Sequence, residues 1–67
     1  RMEWIGRLFA QLPEKQRSVM QLRDVEGRSY REIAQVMDMS EEQVKITLFR
    51  ARQRIKKNYE KIERHGL

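Results

Sequence analysis

The chain is 67 residues long, carries 15 Lys+Arg against 10 Asp+Glu, and has a net charge of +5 with an isoelectric point near 10.1. That length gives one small domain, near the lower limit for a core that holds without staples, and the lack of cysteine excludes disulfides and thiolate-bound zinc. The basic excess favours a polyanionic partner, while no apolar run approaches the ~20 residues that span a bilayer and no signal-peptide pattern opens the chain. These features fit a cytoplasmic protein with no membrane partner. Arginine at position 1 suggests a piece of a longer protein.

In chain order, Ile5, Leu8, Phe9 and Leu12 recur at i, i+3, i+4 and i+7, which predicts an amphipathic helix over about 2–11. Gly6 weakens it by roughly 1 kcal/mol relative to alanine. Pro13 cannot continue that helix but suits the first position of a second, with Glu14 at the favoured end of its dipole. The second helix is predicted over 13–25, with Val19, Met20 and Leu22 as core contacts and Gly27 as a left-handed cap.

Ser29 followed by Glu32 is a capping box that opens a third helix over 29–37, with Tyr30, Ile33, Ala34 and Met37 inward. Asp38 sits where the chain reverses, and a short polar residue tolerates the left-handed conformation. Met39 falls in or just beyond this turn. Ser40 followed by Gln43 is a second capping box, opening a fourth helix over about 40–60 because no breaker appears before Gly66. Past Ile55 only Tyr59 and Ile62 return to its apolar stripe, so its last turns project beyond the core. With no strand alternation or repeat, the expected fold is all-α: four helices, the last two forming a helix-turn-helix.

The fourth helix carries the functional argument. At 3.6 residues per turn, Val44, Leu48, Ala51 and Ile55 form one stripe that packs on the domain. The opposite face shows Glu42, Ile46, Phe49 and Gln53, flanked by Lys45 and Lys56 on one side and by Arg50, Arg54 and Lys57 on the other. A solvated basic helix with two stray apolar residues would be the plain reading. An apolar pair inside a cationic face makes better sense if the pair meets thymine methyls while the charges meet phosphates.

Catalysis finds no support. Glu41 and Glu42 lie in a first helical turn, where the dipole favours them. Ser18, Ser29 and Ser40 have no histidine in plausible reach, and glycine occurs only at 6, 27 and 66, so no phosphate-cradling loop exists. His65 alone makes no metal site. No enzyme activity, metal or cofactor is expected. The methionines at 20, 37 and 39 read as core filler.

Three stretches together resemble region 4 of bacterial sigma factors, most of all the extracytoplasmic-function group. They are Leu12-Pro13-Glu14-Lys15-Gln16-Arg17, Leu22 to Ala34 with its Glu26-Gly27-Arg28-Ser29-Tyr30-Arg31-Glu32-Ile33-Ala34 block, and Val44-Lys45 with Leu48-Phe49-Arg50-Ala51-Arg52. The resemblance covers roughly 8–57. It implies one C-terminal domain over 1–67 of a longer sigma factor, which binds the −35 promoter element through its last helix, docks on the β-flap of RNA polymerase, and is occluded by an anti-sigma factor. Lys45, Phe49 and Arg50 match family residues at the DNA, and Arg52 and Arg54 match its basic run. The helical wheel places Arg52 nearer the core, so it is the weaker candidate.

The candidate DNA contacts on the fourth helix are Glu42, Gln43, Lys45, Ile46, Phe49, Arg50, Gln53, Arg54 and Lys57. Ser40 joins them at its start, and Arg28 and Ser29 at the start of the third helix. The chain also departs from the family pattern. Where members often show Pro-x-Gly-Thr-Val-Lys-Ser-Arg, Ser40 to Thr47 puts Glu42 for the glycine, and Ile46 and Thr47 for the serine and arginine. A glutamate can accept from cytosine N4 and isoleucine can meet a thymine methyl, so the promoter read differs from that of better-known relatives. Two rival readings fit parts of the pattern. A LuxR-type response-regulator domain shares the Glu-Ile-Ala and Val-Lys core but continues differently after it. A basic helical module could instead face an acidic protein.

Overall fold

The computed structural model describes the backbone of residues 2–64 and the side chains of residues 6–61. The side chains of Ile5 and Ile62, and all of His65 and Gly66, lie outside the described residues. Four helices run in order: α1 (Met2–Ala10), α2 (Glu14–Met20), α3 (Tyr30–Met37) and α4 (Glu41–Arg64). The all-α expectation holds.

α1 ends as predicted, because Pro13 cannot continue it. The Gln11 amide still reaches the Arg7 carbonyl at 3.1 Å, and Leu12 tightens to a three-residue bond onto Phe9, also 3.1 Å. This turn drives Leu12 into the core, where it is 3% exposed. Pro13 is the residue before α2 rather than its first, with φ −54° and ψ 150°, so α2 begins at Glu14.

The expected straight helix over 13–25 is corrected. α2 is α-helical only to Met20 and then continues as a π-helical turn over Gln21–Val25, in which the Glu26 amide reaches back five residues to the Gln21 carbonyl at 3.1 Å. An extra residue in the turn shifts every later side chain around the axis. Two contacts favour the shift. Leu22 packs on the core, and the Asp24 carboxylate meets the Arg52 guanidinium of α4 in a fork, Nη2 to Oδ1 at 2.5 Å and Nε to Oδ2 at 3.3 Å. The bond to Asp24 holds the Arg52 proton more tightly than usual. Gly27 then closes the segment at φ 71°, as its identity predicted.

The Ser29 capping box is complete: the Glu32 amide donates to Ser29 Oγ at 3.1 Å and the Ser29 amide donates to Glu32 Oε1 at 3.0 Å. α3 ends at Asp38, which adopts φ 55° and ψ 52°. The Met39 amide then reaches the Ala34 carbonyl at 3.0 Å, the six-residue bond of a Schellman end, while the Met39 side chain packs on the core. The second capping box is only half made. The Gln43 amide donates to Ser40 Oγ at 3.1 Å, but among the described residues the Gln43 side chain makes no return bond; it lines a surface groove instead.

One buried cluster joins the helices: Leu12, Val19, Met20, Ile33, Ala34, Val44, Leu48 and Ala51, with Phe9, Leu22, Tyr30, Met37, Met39 and Ile55 packed around it. The predicted stripe of α4 is therefore the buried one, with Ile55 at its edge. Beyond the core, Asn58 Nδ2 donates to Gln11 Oε1 at 3.4 Å and α4 remains helical to Arg64.

Leu48 is 2% exposed, so Leu48→Ala should cost ~2–5 kcal/mol in denaturant unfolding. Melting at the parental temperature would mean that the inward stripe has been misplaced. The Asp24–Arg52 fork is partly solvated, and a double-mutant cycle with Asp24→Asn and Arg52→Gln should return a coupling of ~0.2–1 kcal/mol. Zero coupling would make the fork incidental to the π-helical turn. Glu32 also links stability to pH. Hydrogen bonds from the Ser29 amide, then from the Ser29 side chain, lower its carboxyl pKa below the ordinary 4.5. A lowered folded-state pKa gives stability that is present above the unfolded value and lost as pH falls through the folded one. Acid melts from pH 4.5 downward should show this loss, and Glu32→Gln, which keeps the box but cannot titrate, should remove that component.

Candidate nucleic-acid interface

α4 supplies the face and the core sets its orientation. With Val44 and Ala51 fully closed from solvent and Leu48 nearly so, the helix cannot roll, and the opposite positions Glu42, Ile46, Phe49 and Gln53 all lie in water. Ile46 is 43% and Phe49 62% exposed, a large apolar surface to leave in solvent. Lys45, Arg50, Arg54 and Lys57 surround them, all exposed. Between residues 40 and 57 the charge of this face is strongly positive, with Glu41 and Glu42 at its start; exposed Glu60 follows on the same side beyond Lys57. The face foreseen from periodicity is thus assembled as a surface.

The remaining candidates divide. Ser40 and Ser29 are exposed, and each Oγ already accepts a backbone amide in its cap; this leaves the Ser40 hydroxyl proton to donate outward, while that of Ser29 meets the Glu32 carboxylate. Gln43 is exposed at the edge of the face. Arg28 is tied back: its Nε donates to Glu26 Oε1 at 3.1 Å, both side chains being half-exposed. A surface pair of this kind exchanges readily for another anion. Arg52 is turned away from the face by Asp24, consistent with its weaker standing in the sequence.

Packing adds residues that periodicity did not single out. Two grooves run between the start of α2 and α4. In one, Lys15 lies beside Gln43, Ile46, Thr47 and Arg50; in the other, Gln16 lies beside Phe49, Arg50, Gln53 and Arg54. Lys15 and Gln16 thus border the exposed face, and the Gln16 Oε1 is buried with no hydrogen-bond partner among the described residues. No local signal marks them, because which side of α2 meets α4 is decided by tertiary packing. Among the described residues, no group of three or more His, Asp and Glu side chains is placed to hold a metal, and no helix is long and apolar enough to cross a membrane.

The arrangement can hold a polyanion along α4 and present two apolar side chains and several hydrogen-bonding groups to whatever lies between the phosphates. No curated protein and no solved structure matches the chain significantly. Comparison with protein families, however, matches residues 2–55 to sigma-70, region 4, a span that runs from α1 through the buried half of α4. The chain belongs to the sigma-70 region 4 family, non-enzymatic domains that bind promoter DNA and RNA polymerase in transcription initiation.

Proposed function

We propose that residues 1–67 act as one promoter-reading module of the extracytoplasmic-function type. In this reading, α4 enters the major groove at the −35 element over residues 40–57. Lys45, Arg50, Arg54 and Lys57 hold phosphates, while Ile46, Phe49, Glu42, Gln43 and Gln53 face base edges. Arg28, Ser29 and Ser40 contact the flanking backbone. The module docks on the β-flap of RNA polymerase in the cytoplasm, and an anti-sigma factor occludes it.

The observation that carries the reading is the exposed Ile46–Phe49 pair inside a cationic face whose orientation the core fixes. Neither side chain can pair with a phosphate, so in a DNA complex each finds its partner at a base edge, for example a thymine methyl. A protein surface is the second reading of the same pair. Val25 and Val36, 66% and 62% exposed on elements other than α4, offer separate apolar positions for the polymerase or an anti-sigma partner.

The test uses a duplex selected from a randomised library and a random duplex as control. Ile46→Ala and Phe49→Ala should each weaken the selected duplex by ~1–3 kcal/mol per lost base contact and the random duplex far less. The log–log salt slope, corresponding to on the order of 4–6 neutralised phosphates, should stay unchanged, because no counterion-releasing charge has been removed. Charge reversal at Lys45 or Arg50 should weaken both duplexes and flatten the slope. Equal loss on both duplexes would make the apolar pair structural. Unchanged DNA binding with impaired polymerase binding would make it a protein-docking patch.

A further inference from the structure

Tyr30 is the first residue of α3, and cations from two other elements lie against its ring. The Arg23 guanidinium carbon, from the π-helical turn, is 4.5 Å from the ring centroid, and the Lys45 ammonium, from the start of α4, is 5.6 Å from it. Both fall within the ~6 Å over which an aromatic quadrupole attracts a cation. Two like charges this close to one ring lie within roughly a Debye length of each other, about 10 Å at 0.1 M salt, and repel. The ring offsets that repulsion. Arg23 is further fixed by an Nη1 bond to the Arg28 carbonyl at 2.8 Å.

The chemistry of this restraint differs from that at Arg52 and Arg28. Those two cations are held by the carboxylates of Asp24 and Glu26, which cancel their charge. Among the described residues, neither Arg23 nor Lys45 has a carboxylate at ion-pair distance. A ring holds a cation without neutralising it, and so leaves its full charge for a polyanion. Resting on the DNA-binding reading of α4, we infer that Tyr30 is a positioning residue for nucleic-acid binding, whose ring holds Arg23 and Lys45 together as uncancelled charges at the edge of the interface.

The full chain and duplex DNA test this. Tyr30→Phe keeps the ring and should bind within about twofold of the parent. Tyr30→Leu keeps apolar bulk without a quadrupole and should bind selected and random duplexes alike about 2–5-fold more weakly. In an Arg23→Ala/Lys45→Ala background the leucine change should cost nothing more. Stepwise fluorination of phenylalanine at position 30 keeps the shape while draining the ring's negative face, and should weaken binding step by step; it serves even if the leucine variant fails to fold. Phenylalanine as weak as leucine, an undiminished leucine effect in the double-alanine background, or indifference to fluorination would each overturn the inference. A readout without DNA separates the two claims. The Lys45 ε-methylene protons of the free chain should show an upfield ring-current shift that Tyr30→Leu abolishes. Absence of that shift in the parent would overturn the ring contact. Its presence in a parent that binds no duplex would overturn the DNA reading, and this role with it.

Discussion

Val44, Leu48 and Ala51 share one buried cluster with Val19, Met20 and Ile33, and everything displayed by α4 depends on that closure. Each residue of a helix turns the next by about 100°, so fixing three inward positions fixes all the others. Rolling the helix over would expose the stripe, at roughly 1.5–3 kcal/mol for a side chain such as Leu48, and would push arginines and lysines toward an apolar interior. The outward face is therefore a by-product of the inward one. A domain this small has few ways to orient so much charge, and here the buried stripe does it.

The two turns flanking α3 set where that face points. At one end Gly27, with positive φ, and the reciprocal Ser29–Glu32 bonds start α3 at a defined residue. At the other, Asp38 takes the left-handed conformation and Met39 folds back to the Ala34 carbonyl and onto the core. Both devices satisfy backbone groups that a helix end would otherwise leave open. The angle between α3 and α4 is thus fixed by hydrogen bonds and a methionine contact.

These local devices were legible in the sequence because each depends on a residue type at a short, fixed spacing. Gly27, Asp38, the Ser29 box and the stripe from Val44 to Ile55 all belong to this class. The π-helical turn was not legible. No glycine or proline marks it, and it is favoured by Leu22 reaching the core and Asp24 reaching a partner 28 residues away. Among the described residues Gln43 makes no return bond, and its side chain lines a groove shared with Lys15 of α2, a placement no local spacing announces. At the interface, periodicity gave the exposed face of α4 but not Lys15 and Gln16, which border it only because α2 packs alongside. Periodicity places Tyr30 on the inward side of α3. It does pack on the core, yet its ring also faces two cations that are remote in sequence.

α4 is a single rod of 24 residues, about 36 Å at 1.5 Å per residue, but it is not a single unit of stability. Among the described residues, the α4 members of the core run from Val44 to Ile55, and further along Asn58 bonds to Gln11. Opening of the far end breaks helical hydrogen bonds without uncovering Val44 or Leu48, so it proceeds on its own scale of free energy. The half that displays Ile46 and Phe49 is thereby insulated. A local opening near Lys61 leaves in place the buried stripe that orients Phe49 and Arg50.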